Sequence, residues 1–353
     1  MTRMVPRLFA SEQPDSGSSG PRRAQSDSTL HPSSPIPVMG DGAGLGTSIR
    51  RPLGETALNV FPLALGTSVF GWTAQVDASA SILNRYFDFG GNFLDTADSY
   101  SAGRSEHIIG QWMARRRNRD DVVVATKIGN HPDNPGLGPV AMVRAVEASL
   151  ERLQTDHIDL LYFHIDDRTV PLEDSLGTAQ WLIESGKVRY LGASNFSAER
   201  LVEARILSAA GYPRIEALET HYSLLHRQPF EGDLGLVSRG QGLGVMPYFA
   251  LENGFLTGKY RSRSDLDGSA RGARVARHLN RNGLRVLHAL DAVAAEQNAP
   301  VASIALAWLL TKTGVVAPVA SASRPEQVDA LVRSTVIQLT RGQLLELERA
   351  ARV

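Results

Sequence analysis

From about residue 53 the chain alternates short apolar runs with longer segments whose apolar residues recur every three or four positions. Leu53-Gly54 and Leu58-Asn59-Val60 read as a small hairpin leading into a buried strand at 63–67. A helix is expected from an N-cap at Asp77 to about Phe89, where Gly90-Gly91 stops it. Strand 93–95 follows, then a helix over 104–117 with its stripe at Ile108, Ile109, Trp112 and Met113. Strand 122–126, a loop broken by Pro132, Pro135 and Pro139, and a helix over 140–153 come next. The alternation continues through strand 158–163, helix 172–185, strand 187–192 and helix 197–209. Strands at 215–219, 243–248 and 315–319 complete a set of eight, with helices at 284–297 and 301–311 before the last. Helices near 325 and over 341–351 close the chain.

Eight apolar strands separated by amphipathic helices predict a parallel sheet, and eight is the number that closes into a (β/α)8 TIM barrel. An open doubly wound sheet would need a phosphate-binding turn after its first strand, and Leu65-Gly66-Thr67-Ser68 is not one. Residues 1–50 break the pattern. They are rich in Ser, Pro, Gly and Arg, and they read as a disordered tail before a barrel domain over 51–353. The tail has no apolar segment of the kind a secretory signal needs. Its Gly42-Ala43-Gly44-Leu45-Gly46 imitates a dinucleotide loop, but prolines occupy the place of the strand that should precede one.

Composition narrows the function classes. Thirty-seven basic residues balance thirty-seven acidic ones, which gives no reason to expect a nucleic-acid or membrane partner. The absence of cysteine excludes disulfides, thiolate nucleophiles and zinc–sulfur sites, and a cytoplasmic location is expected.

Three predicted strands end on ionisable groups. Strand 93–95 runs into Asp95, with Tyr100 five residues on; 122–126 runs into Lys127 and 158–163 into His164. In a barrel all eight such ends meet on one face, where chemistry is done. The converging groups are then Gly66 and Thr67, Asp95, Lys127, His164, Ser194 and Asn195, Glu219, Tyr248 and Ser321. A phenol with a pKa near ~10 is a poor proton donor at neutral pH. An ammonium ~4 Å away, at an effective dielectric of ~20, interacts with the phenolate by about 4 kcal/mol and is expected to lower that pKa. Asp95 would keep the ammonium charged, and a neutral His164 could hydrogen-bond a substrate oxygen. Together the four suit protonation of a carbonyl oxygen as charge develops on it. Singly, each has a plainer reading: an ion pair closing the barrel, a histidine on a backbone carbonyl, a tyrosine packed on a helix.

Phe93-Leu94-Asp95-Thr96-Ala97-Asp98-Ser99-Tyr100, with Gly103-Arg104-Ser105-Glu106 after it, resembles the aldo-keto reductase family. So do Ala125-Thr126-Lys127, the run from Gly186-Lys187-Val188 to Ser194-Asn195-Phe196, and Gly254-Phe255-Leu256-Thr257-Gly258-Lys259-Tyr260. The resemblance implies an oxidoreductase that reduces an aldehyde or ketone, or oxidises the alcohol, by hydride transfer. Tyr100 would be the general acid/base, Lys127 and Asp95 its tuning pair, and His164 the group that orients substrate. It also implies NADP(H), with NAD(H) as the other option. Ser194, Asn195 and Glu219 would hold the carboxamide, Tyr248 would stack on the ring, and Gly66 and Thr67 would lie against the cofactor. Leu251, Gly254 and Lys259 would line the pyrophosphate region. Ser321, Ser323, Arg324 and Gln327 would surround the adenosine, where Arg324 suits a 2′-phosphate. The alternative that the resemblance allows is a non-catalytic nicotinamide-binding module that regulates a partner protein.

The chain departs from the family pattern at three places. Glu219 stands where Gln is usual, and its charge is expected to weaken cofactor binding. Ala330 and Leu331 stand where Glu and Asn often contact adenine. Asp166-Asp167 follows His164 without an assigned role. A metal-dependent hydrolase using His164, Asp166, Asp167 and His221 is a weaker reading, because no two histidines have ligand spacing on one strand; no metal is expected. Loops 129–138, 165–171 and 227–240 are expected to wall the pocket around a small carbonyl substrate, with 261–277 as a mobile cover.

Overall fold

The computed structural model describes residues 49–352, so the expected tail, apart from Ile49 and Arg50, and its glycine cluster lie outside the described residues. Eight parallel strands form one sheet: β1 (Ala64–Gly66), β2 (Phe93–Asp95), β3 (Val123–Ile128), β4 (Ile158–Phe163), β5 (Val188–Ser194), β6 (Ile215–His221), β7 (Gly244–Tyr248) and β8 (Val319–Ala320). Neighbours follow chain order from β1 to β7, and β8 pairs with β1 from the other side. A Val245–Val315 bridge and a bond from the Val316 N–H to the Val245 carbonyl (2.9 Å) bring the two edges together. The chain forms the expected (β/α)8 barrel.

The eighth strand is shorter than its apolar run of 315–319. Pro318 has no N–H, so the run cannot make a continuous ladder. Val315 and Val316 pair with β7, the Pro318 carbonyl accepts from Ala64 (3.0 Å), and only Val319 and Ala320 lie in register with β1.

Helices α1 (Val76–Asp88), α2 (Arg104–Arg116), α3 (Pro139–Leu153), α4 (Leu172–Glu184) and α5 (Ala198–Ala209) follow the first five strands. The six-residue α6 (Gly235–Gly240), too short to show a stripe in sequence, precedes β7. Then come α7 (Arg281–Glu296), α8 (Val301–Leu310), α9 (Glu326–Arg333) and α10 (Arg341–Ala351). Asp77 is not the cap of α1. Gln75 holds that position without a side-chain capping bond, and Asp77 lies in the first turn, where a carboxylate suits the helix dipole. No described helix is long and apolar enough to cross a membrane.

Two apolar layers result. The larger lies between sheet and helices and includes Leu65, Leu94, Val124, Leu161 and Leu218 from the strands. The smaller fills the barrel with Ala64, Phe93, Ala125, Leu160, Tyr162, Ala217 and Met246. The hairpin of Arg51–Pro52 and Asn59–Val60 closes its lower end with Leu53, Leu58 and Val60. Side chains alternate along a strand, so the residue two places beyond each inward apolar one also faces inward. Phe93 is followed in this way by Asp95, Ala125 by Lys127, Tyr162 by His164, Ala217 by Glu219 and Met246 by Tyr248. The period of two therefore fills the barrel with hydrocarbon and turns its C-terminal mouth into a ring of polar groups.

Candidate active site

Lys127 stands at the centre of that ring, 1% exposed. Its Nζ donates to Asp95 Oδ1 at 2.6 Å and to the Thr96 carbonyl at 3.1 Å, and lies 3.5 Å from the Tyr100 hydroxyl. Glu219 Oε2 is 3.1 Å away on the opposite side, without hydrogen-bond geometry. Tyr100 arrives from the loop after β2, which turns through three successive left-handed residues, Ser101, Ala102 and Gly103. Ser101 Oγ ties this turn to the Phe70 carbonyl (2.7 Å). The Tyr100 and His164 rings meet edge to face, 6.2 Å apart.

Burial and charge set the proton affinities here. Burial pulls the Lys127 ammonium down, but Asp95, Glu219 and Tyr100 outweigh it and raise the group well above its ordinary value. Burial, and then the Lys127 charge, push His164 down to about 3, so the imidazole is neutral, as expected from sequence. The expected lowering of Tyr100 is not what results. Burial of the phenol outweighs the pull of Lys127, Asp95 and Glu219 add to it, and the pKa is raised. Burial also raises Asp95 against its lysine. Burial and the Asp95 charge push Glu219 up to about 8, so the charge expected there is suppressed near neutral pH.

These groups form one end of a cavity of about 760 Å³. Ser194, Asn195 and Tyr248 line it, as do Gly66, Leu251, Gly254 and Lys259. Ser321, Ser323 and Gln327 line it further on, with Gln327 Oε1 accepting from the Ser323 N–H at 2.9 Å. Tyr248 donates its hydroxyl to Asn195 Oδ1 (2.7 Å), and Asn195 Nδ2 donates to the His164 carbonyl (3.0 Å). Two expected residues stand apart. Thr67 is fully buried, donates to the Asp95 carbonyl (2.8 Å) and accepts from Ser105 Oγ (2.8 Å), which makes it a brace beneath β2. Arg324 is exposed and outside the wall, where the guanidinium groups are those of Arg271 and Arg274.

The walls also differ from expectation. Loops 129–138, 165–171 and 227–240 contribute nothing to them. Val69, Trp72 and Thr73 after β1, Phe249, Ala250, Leu251 and Asn253 after β7, and Ser269, Ala270, Arg271 and Arg274 do. The last group belongs to the expected cover at 261–277, pinned by Arg261 on Asp291 (2.7 Å) and by Tyr260 on Ser269 (2.8 Å). Asp166 pairs with Arg200 (2.8 Å) and Arg168 (3.0 Å), while Asp167 accepts from the Leu137 N–H (2.9 Å) and Thr169. The acidic pair therefore fastens loops together. Among the described residues no group of three or more His, Asp or Glu is arranged to hold a metal ion.

A second buried cluster, invisible in the sequence, lies behind Tyr248. Glu252, fully buried, accepts from Ser223 Oγ (2.6 Å) and pairs with His221 Nε2 (2.7 Å) and His278 Nε2 (3.2 Å). Burial pushes this carboxyl up, but the bonds from His221, His278 and Ser223 prevail and hold it well below the carboxylate range. The His221 ring is stacked between His226 (3.7 Å) and Tyr248 (5.5 Å). The partners come from strand β6, the loop after β7 and the segment before α7, so no local spacing marks them.

The donor set fits a nicotinamide dinucleotide: amide partners in Ser194, Asn195 and Glu219, a flat ring in Tyr248, and cationic side chains for phosphates in Lys259, Arg271 and Arg274. Comparison with known proteins agrees with that chemistry. The Aldo/keto reductase family profile matches residues 62–352. Norsolorinic acid reductase of Aspergillus flavus is 31% identical over 329 residues, covering 85% of this chain and 80% of that protein. Aryl-alcohol dehydrogenase GME11368 of Pestalotiopsis microspora is 30% identical, covering 84% and 80%. A probable voltage-gated potassium channel subunit beta of Oryza sativa subsp. japonica is 32% identical, covering 79% and 88%. The chain belongs to the aldo/keto reductase family and is an NAD(P)H-dependent reductase.

Proposed function

We propose that the protein reduces an aromatic aldehyde or ketone with NADP(H), and that Tyr100 supplies the proton to the carbonyl oxygen. The observation that carries this reading is Lys127 Nζ, 2.6 Å from Asp95 and 3.5 Å from the Tyr100 hydroxyl at the floor of the cavity. The lysine stabilises the phenolate that forms as the proton leaves, and Asp95 keeps the lysine charged. His164, neutral, donates to the same substrate oxygen and fixes its direction. When bound, the reduced nicotinamide supplies the hydride. Ser194 and Asn195 hold its amide side, and Tyr248, fixed by its bond to Asn195, presents the flat surface against it. Lys259, Arg271 and Arg274 suit a pyrophosphate and a 2′-phosphate, which supports NADP(H).

Trp72 and Phe249, 47% and 42% exposed, are aromatic apolar side chains in the wall, and they suit an aromatic substrate. The name of the aryl-alcohol dehydrogenase relative points the same way. A cytoplasmic location goes with this reading, on the cysteine-free composition. The test is NADPH oxidation with a panel of aryl aldehydes and ketones, followed by Tyr100→Phe. The variant should bind NADPH by fluorescence titration and lose turnover by ~10²- to 10⁴-fold, the range for a general acid. Undiminished turnover in Tyr100→Phe would overturn the role of the phenol. NADPH binding by the native chain without turnover of any carbonyl would favour a regulatory module instead.

A further inference from the structure

The ring around Lys127 holds two carboxyl groups and one ammonium. Asp95 and Glu219 are 3% and 2% exposed, on opposite sides of Nζ at 2.6 and 3.1 Å. Asp95 makes the hydrogen bond. Glu219 Oε2 is buried and 3.1 Å from the same Nζ, which Asp95 engages more closely, so an ionised Glu219 would share one desolvated cation with a second carboxylate. Asp95 on β2 raises its proton affinity further, Lys127 is the one neighbour that lowers it, and the Tyr100, Tyr162 and Tyr248 phenols bring no positive charge. One cation neutralises one carboxylate, and the second carboxyl keeps its proton.

We propose that Glu219 is a stored proton source: it carries a proton at neutral pH and delivers it, through the Lys127 ammonium, to the Tyr100 phenolate left after each reduction. This rests on the reading of Tyr100 as the acid. As the substrate O–H bond forms, the Tyr100 O–H bond breaks. A Lys127 N–H bond then breaks and the Tyr100 O–H reforms; the Glu219 O–H breaks and the lysine regains its third hydrogen. The hydride accounts for both electrons, so the path moves protons alone. Glu219, which lines the open cavity, is recharged from water after product leaves. It acts through the lysine and is a positioning and storage group rather than one that touches the substrate.

The carboxyl can be seen without turnover. In infrared difference spectra of the protein without cofactor, taken from about pH 6 to about pH 10, the carbonyl band of a protonated carboxylic acid should disappear as pH rises through about 8. Glu219→Gln should remove that band and Glu219→Asp should retain it. In steady-state reduction, native kcat should fall roughly tenfold per unit above about pH 8, as the store empties. Glu219→Gln should be slower near neutral pH and lack that alkaline fall; Glu219→Asp should keep it. A Glu219→Gln profile that falls as the native one does, or a native spectrum without the band, would overturn the proposal. If Glu219→Gln does not fold, Glu219→Asp decides it: the band and the alkaline fall in kcat should shift together in that variant, whereas a band from Asp98, which burial raises to about 7, would stay unmoved. Tyr100→Phe run in parallel separates the two claims: the infrared band should persist in it, and retained turnover there would instead defeat the role of the phenol.

Discussion

The clusters around Lys127 and Glu252 both draw on strand β6, through Glu219 and His221, and are built in opposite proportions. Lys127 is one cation between two carboxyls. Glu252 is one carboxylate among two histidines, a serine hydroxyl and, at 3.5 Å, Arg277. In the first, acceptors outnumber the cation, so burial raises both acids and a proton is left that can be exchanged. In the second, donors outnumber the acceptor, and the carboxylate is fixed as an anion. Equal burial leaves the acids raised in one place and the acid lowered in the other. The ratio of partners decides which.

The most severe way to break the comparison is Lys127→Met. It removes the single cation between Asp95 and Glu219 and leaves two buried acids to protonate or repel. Turnover should fall by at least ~10³-fold. Stability to urea should drop by about 3–5 kcal/mol, the cost of removing one partner of a buried ion pair. A loss of turnover under tenfold would mean that the lysine is only a structural ion.

Glu252→Gln probes the other cluster with a smaller effect. Its amide can still accept from Ser223, so the expected cost is about 1–3 kcal/mol at neutral pH. The native carboxyl is held below its ordinary range, so the stability it contributes is complete above that range and is lost as pH falls through it. The gap between native and variant unfolding curves should therefore be constant above about pH 5 and narrow progressively as pH falls below it. A gap independent of pH would show that Glu252 acts through packing alone. Least disturbing should be His278→Gln. Its ring stands 3.2 Å from Glu252, and an amide can replace that donor, so the expected cost is below about 1 kcal/mol by the same measurement.

Strands and helices were legible because their periods of two and 3.6 are local properties. Where local chemistry competed, the reading slipped. Pro318 divided one apolar run between two neighbours, and Asp77 looked like a cap because its type suits one, although the helix begins a residue earlier. The groups around Tyr100 were legible for a related reason. Each sits at the end of its own strand, and a closed barrel turns a list of strand ends into a ring. Gly192 shows how closely that ring is fitted: a Cβ there would lie 2.6 Å from the Tyr162 ring, beside the buried acids. The cavity walls were not legible, because loops of similar length and polarity follow every strand. Only their paths decide that 269–274 reaches the cavity while 129–138 does not.

By itself, the order of residues determined the barrel, the identity of the ring groups and the family, since all three depend on patterns a few residues long. Tertiary structure alone decided how many charges share one dry site: that Glu219 faces Lys127 beside Asp95, and that Glu252 meets His221 and His278. Proton affinity depends on distance and desolvation among residues far apart in the chain, and neither quantity exists until the barrel closes.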